Sequence, residues 1–338
     1  MKRCCIFLLV LSLLLSGCAP SEQRQYNAVY LDLFDTVTTI IGSGEREEQF
    51  RKEAQAVYEK LLVYHKLFDI YHEYEGISNL KTVNDHAGIA PVAVDGAIIQ
   101  LLQDCKEYYR LTGGKVNAAM GSVLRLWHEA RNHGIENPEK AKLPDAEALA
   151  QAAEHISFDS IVIDESASTV YISDPEASLD VGAVAKGWAV QKAAQSAPVG
   201  MLISVGGNVY ATGAKNRDGT PWTVGIQDPA NSSEMICKLS LTHGAVVTSG
   251  DYQRTYRVDG KDYHHIIDPA TRMPSAYFRS VTVVAEDSAL ADALSTALFL
   301  LPLEEGKALA ERWGVEAFWV DGEANTYMTD GFETLLYQ

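Results

Sequence analysis

Ser280-Val281-Thr282-Val283-Val284-Ala285 is followed, after Glu286-Asp287, by Ser288-Ala289-Leu290-Ala291-Asp292-Ala293-Leu294-Ser295-Thr296-Ala297-Leu298-Phe299-Leu300. The first piece is rich in Val and Thr and reads as a strand, the second as a helix, and Leu303 to Trp313 reads as another helix. Working outward, the same strand chemistry recurs at Trp222 to Ile226, Met235 to Leu241, Ala245 to Thr248 and Tyr252 to Val258, then at Ala317 to Val320 and Thr326 to Met328. Strands in series interrupted by a few helices predict helices packed on a predominantly antiparallel sheet, an α+β fold with room for two intimate subdomains.

The amino-terminal half supplies the remaining helices. Val29 to Ile41 is strand-like and ends at Gly42-Ser43-Gly44. From Glu47 the apolar positions Phe50, Ala54, Val57, Leu61 and Tyr64 recur at three- and four-residue spacing and continue to Leu67 and Phe68, the stripe of a long amphipathic helix. Asn79 to Gly88 is turn-rich, Val94 to Leu111 is helical, and Glu136 to Ala153 is a charged, Ala-rich excursion with a short helix. Ser160 to Ile163 and Thr169 to Ile172 flank a five-residue polar turn and predict a hairpin; Gly182 to Ala197 predicts a helix, and Met201 to Val205 a strand before Gly206-Gly207.

Of 338 residues, 28 are basic and 45 acidic, a formal charge of -17, which argues against nucleic acid as a partner because no basic excess exists to neutralise phosphates. An apolar fraction of 47% supports a large core rather than a disordered chain. Five cysteines without a CxxC pair offer no structural zinc site, so any metal would be held by oxygen. Cys105 falls in a helix-like segment and Cys237 in a strand-like one; two separate buried thiols are expected, with a bridge between them as the alternative.

At the start, Lys2-Arg3 precede an apolar run from Cys4 to Leu15, shorter than the roughly 20 residues needed to cross a bilayer. It ends Leu15-Ser16-Gly17-Cys18, which resembles a bacterial lipoprotein processing box. The organisation expected is a signal peptide over 1–17, a lipidated Cys18 with a tether over 18–28, and one domain over 29–338. The chain would be held by lipid to the outer, extracytoplasmic face of the cell membrane.

Three blocks can carry chemistry. In Asp180-Val181-Gly182-Ala183-Val184-Ala185-Lys186-Gly187 a Gly/Ala turn exposes backbone groups at a helix start, and Lys186 favours phosphate; a plain cap with a solvated lysine is the structural alternative. On the helix beginning at Ser288, Asp292 and Thr296 share a face and can offer oxygens to a hard cation such as Mg2+, with Ser295 a weaker donor and Asp287 either a ligand or a cap. In His264-His265-Ile266-Ile267-Asp268-Pro269 a neutral imidazole can deprotonate a hydroxyl, and Asp268 can orient it or fix a turn.

Together with Phe34-Asp35-Thr36, Asn84, the run Gly114 to Gly121, Gly206-Gly207-Asn208 and Thr248-Ser249-Gly250-Asp251-Tyr252, these islands, in this order, resemble the ApbE family of FAD:protein FMN transferases. The resemblance implies an enzyme that splits FAD with Mg2+, attaches FMN through its phosphate to a Ser or Thr hydroxyl of a target protein and releases AMP. It implies Asp180, Lys186, Phe34, Asn117, Ala118, Ala119 and Ile266 beside the flavin nucleotide. The carbonyl of Ala183, with Asp292, Thr296 and Ser295, would hold the metal, and His265 would act as general base with Lys186 and Asp268 in support. Acceptors would be flavoprotein subunits of membrane redox complexes or secreted reductases. Asn117-Ala118-Ala119 stands where many relatives carry Asp-Pro-Thr, and Arg272 where many have Gly. Two other readings use the same residues: an FAD pyrophosphatase yielding FMN and AMP, and a non-catalytic flavin-binding lipoprotein.

Overall fold

The computed structural model describes residues 24–337; the predicted signal segment and Cys18 lie outside them. In chain order the helices are α1 (Glu47–Phe68), α2 (Leu80–Asp85), α3 (Gly96–Leu111), α4 (Gly121–Glu136), α5 (Ala146–Ala152), α6 (Ala185–Ala194), α7 (Ser288–Phe299) and α8 (Leu303–Trp313). The strands are β1 (Arg24–Leu33), β2 (Thr36–Gly44), β3 (Val92–Ala93), β4 (Ile161–Asp164), β5 (Thr169–Ile172), β6 (Met201–Val205), β7 (Asn208–Ala211) and β8 (Trp222–Gln227). They continue with β9 (Met235–Leu241), β10 (Gly244–Gly250), β11 (Tyr256–Val258), β12 (Lys261–Tyr263), β13 (Ser280–Ala285), β14 (Glu316–Val320) and β15 (Thr326–Met328).

Eight strands form the central sheet in the order β1-β2-β6-β7-β10-β13-β14-β15, antiparallel throughout. Its side chains alternate as the pleat requires. Ile203, Val205, Ala245, Val247, Val281, Val283, Ala317 and Trp319 face a large core shared with α1, α6, α7 and α8. Their neighbours Leu202, Val246, Phe318 and Val320 face a second core, closed by the β8–β9 hairpin and Phe332. α7 is buried along nearly its whole length, between the sheet and α6 and α8. The expected α+β architecture is present. Among the described residues no helix is long and apolar enough to cross a membrane. Cys105 is buried in the first core and Cys237 packs on the second, both as free thiols.

Four local expectations change. Val29 to Ile41 is not one strand but a hairpin, β1 and β2, whose turn residues Phe34 and Asp35 both have left-handed backbone at φ 53° and 52°. Neither residue is the Asn or Gly that advertises such a turn, so the turn is invisible to composition. The turn-rich Asn79 to Gly88 contains α2, closed by a reciprocal capping box between Asn79 and Thr82. α4 has no counterpart in the strand and helix pattern read above. Tyr252 to Val258 shortens to β11, which pairs with β12 over α4 and α5 in a third core containing Met120, Trp127, Leu149 and Tyr256.

Candidate active site

One end of the sheet gathers the β1–β2 turn, the β6–β7 turn and the carboxyl end of β10. A cavity of about 410 Å³ opens there, floored by α6 and α7 and walled by α4 and the segment after β12.

The floor depends on a close approach. A Cβ on Gly187 would meet the Ser288 carbonyl and Cβ of Asp292, so only glycine lets α6 lie this near α7. The contact brings the Gly187 amide to Asp292 Oδ2 at 2.8 Å. In a regular helical turn that amide would bond the carbonyl four residues back, at Ala183; here that carbonyl has no backbone donor among the described residues. Asp292 is buried, and burial raises its carboxyl above the usual range, while Lys186, the Gly187 amide and Asn208 pull it back. Lys186 Nζ lies 3.7 Å from Asp292 Oδ1 and 3.3 Å from the Gly182 carbonyl. Asn208 is buried, and its Nδ2 makes no well-formed hydrogen bond although the amide is near enough to Asp292 to influence it.

Asp180 is set by neighbours distant in sequence. Its amide donates to the Ala118 carbonyl at 2.8 Å, and the preceding Leu179 is clasped at both amide and carbonyl by the Asn84 side chain, at 2.7 and 3.0 Å. Its Oδ1 accepts from the Gly182 amide, bending the Gly/Ala turn rather than capping α6, which starts at Ala185. Burial pushes the Asp180 carboxyl up. His265 sits across the cavity with Nδ1 3.3 Å from the Gln253 carbonyl. Burial, then Arg254, His264, Lys186 and Arg131, push its imidazole down to about 3, so it is neutral in ordinary buffers.

Lys186, Asp180, Ala183, Asp292, Thr296, His265, Asn117 and Ile266 all line this single cavity. Six other candidate residues do not. Phe34 lies in the hairpin turn with its ring edge-on to His65, while its neighbours Asp35 and Thr36 face the cavity. Ala118 and Ala119 are buried behind the wall. Ser295 is buried and bonded to Ser249 Oγ and the Asp292 carbonyl, on the side of α7 turned to the sheet. Asp268 orients no imidazole: it pairs with Lys115 Nζ at 2.8 Å and accepts from the Ala270 amide, fixing the turn. Asp287 is the cap of α7, accepting from Leu290.

The departures also acquire reasons. Asn117 lines the cavity, but its Nδ2 donates to the Ile156 carbonyl and its Oδ1 accepts from Ala119, so its amide is spent on the loop. Arg272 has left-handed backbone, φ 61°, the conformation a glycine takes without strain, and its carbonyl accepts from Trp127 Nε1 at 2.9 Å.

The sequence reading missed a cationic wall. His128 and Arg131, three residues apart on α4, stand at the cavity with Arg254; Arg131 bonds His128 at 2.9 Å, and His128 stacks on Tyr71 with centroids 5.0 Å apart. Neither arginine has a carboxylate within ion-pair distance among the described residues. Burial and the Arg254 charge lower Arg131, and burial raises Tyr71 to about 12. The i, i+3 spacing of His128 and Arg131 was the available signal, but it has meaning only once α4 is recognised as a helix.

The sequence model of the ApbE family matches residues 34–319. The chain belongs to the ApbE family. An FAD:protein FMN transferase of Treponema pallidum is 35% identical over 262 residues, covering 72% of this chain and 70% of the relative. One from Klebsiella pneumoniae is 32% identical over 269 residues, covering 75% and 81%. Among solved structures, the ApbE protein of Thermotoga maritima superposes with a TM-score of 0.83 at 28% identity, over 93% of this chain and all of that one. The ApbE fold is thus present across nearly the whole described body.

Proposed function

We propose that this chain transfers FMN from FAD to a Ser or Thr hydroxyl of an extracytoplasmic target protein, with Mg2+ as cofactor and AMP as the other product. The observation that carries the reading is the convergence of Ala183, Asp292, Thr296, Lys186 and His265 on one cavity. The donor set suits a hard cation: a buried carboxylate, a carbonyl released from its helix, and a hydroxyl one turn along α7. Bound there, Mg2+ would supply charge neutralisation at the diphosphate.

The protein's own groups then have distinct tasks. Lys186, now 3.7 Å from Asp292, is placed to turn toward the diphosphate and offset charge on the departing AMP. The acceptor oxygen attacks the FMN phosphorus, its proton passes to the neutral His265 imidazole, and the electron pair of the broken P–O bond leaves with AMP. Arg131 and Arg254 add positive charge to a cavity inside an acidic protein, drawing in an anionic nucleotide. Lipidation of Cys18 would hold the enzyme on the membrane that carries its targets, raising their local concentration.

The test is incubation with FAD, Mg2+ and a threonine-bearing flavoprotein subunit, followed by mass spectrometry for covalent FMN and chromatography for AMP and free FMN. Covalent FMN in step with AMP is expected. AMP with free FMN alone would make the chain a pyrophosphatase, and neither product would leave a flavin-binding protein.

A further inference from the structure

Among the described residues, one edge of the central sheet is unpaired beside the cavity. β1 is the terminal strand. Tyr26, Ala28 and Tyr30 point inward and pack on the core, Tyr26 on Phe50 and Tyr30 on Tyr58. The opposite row carries Val29 and Leu31, 54% and 75% exposed, extended by Val37 of β2 at 52%. Among the described residues no segment other than β2 hydrogen-bonds the backbone of β1. Sheet edges are usually blunted by lysine, proline or an inward charge. β1 has neither lysine nor proline over its ten residues; its charges are Arg24, at the end remote from the cavity, and Asp32, which is occupied by the Tyr58 hydroxyl at 2.6 Å. The edge is continuous with the cavity, because the strand runs into the Phe34–Asp35 turn and Asp35 and Thr36 line the cavity wall. Arg254 joins the two, donating to the Phe34 carbonyl at 3.3 Å.

We infer that this edge is the docking strip for the acceptor protein. An extended segment of the acceptor pairs with β1 as a further strand, seats alternate apolar side chains against Val29, Leu31 and Val37, and so leads its hydroxyl past the turn toward His265. Backbone pairing supplies affinity without demanding one sequence, and the apolar row supplies selection. A second copy of the chain paired edge to edge would block the approach and bring no hydroxyl to the cavity, which is why the acceptor is the occupant that fits. The inference rests on the transferase reading.

The experiment compares the full chain with a Val29→Lys, Leu31→Lys double variant, both positions being exposed enough for the fold to tolerate lysine. The probe is the detergent-solubilised membrane protein fraction of the cell that makes the chain, with FAD and Mg2+. Covalent FMN is read by in-gel flavin fluorescence and FAD binding by flavin quenching. Labelling at limiting acceptor is expected to slow by about tenfold, recovering at high acceptor, with FAD affinity unchanged. Equal labelling by both chains overturns the inference. So does a concentration-dependent dimer in the parent that the variant loses while labelling persists. A parent chain that binds FAD but labels nothing overturns the transferase reading, and the docking strip with it.

Discussion

At His265 the charge state is set by neighbours rather than by the imidazole itself. Burial, with Arg254, His264, Lys186 and Arg131 nearby, holds it at about 3 in the fold against 6.5 when free. Between those values the unfolded chain binds the additional proton, so this contribution to stability is intact above about pH 6.5 and is lost as pH falls through the window. His265→Asn is expected to flatten the dependence of Tm on pH between about 6.5 and 4; coincident profiles for the two chains would remove His265 as its source. In the role of base its position at the cavity is what counts, and His265→Ala should slow transfer by about 10²–10⁴-fold while FAD still binds, as single-turnover kinetics can check. For Ala119 the structure reverses the obvious experiment. It is fully buried and away from the cavity, so restoring a hydroxyl by Ala119→Thr should leave FAD affinity unchanged and cost about 1–3 kcal/mol through overpacking, measured by titration and denaturant unfolding.

Between elements, the decisive contact is α6 against α7. Gly187→Ala places a methyl group against the Ser288 carbonyl, and the helices must part. The expected loss is about 1–3 kcal/mol together with most of the transfer activity, since the Gly187 bond to Asp292 goes with it. Wild-type stability in that variant would show that the approach is not tight. At this scale the sequence was informative where periodicity is long or composition extreme: α1 by its stripe, α7 and α8 by length, β13 and β14 by their Val and Phe content. It was silent where three-dimensional context chooses the conformation. The Phe34–Asp35 turn is forced by sheet pairing against local preference, α4 carries polar residues that face a cavity, and the burial of Ser295 and Ala119 depends on which side of an element meets the sheet. The same limit governs the candidate site. The islands named the right loops, but only packing separates Asp292 and Thr296, which face the cavity, from Ser295, which does not.

Taken whole, the molecule places its chemistry on one side of a partition and reinforcement on the other. Phe332 is fully buried, stacks on Phe318 with centroids 5.3 Å apart, and belongs to the core on the sheet face away from α7. Phe332→Ala is expected to lower stability by about 3–5 kcal/mol and leave the affinity for FAD intact below the melting transition; calorimetry and flavin titration would separate the two.

The described chain begins at Arg24, which pairs with Gly44 at the end of the hairpin remote from the Phe34–Asp35 turn. Ten extended residues put about 30 Å between that starting point and the mouth of the cavity. On the proposal that Cys18 is lipidated, the first strand would act as a mast, lifting the reactive opening clear of the lipid headgroups. Targets whose threonine hugs the membrane would then pass beneath it, and those that raise a loop by several nanometres would be the ones modified.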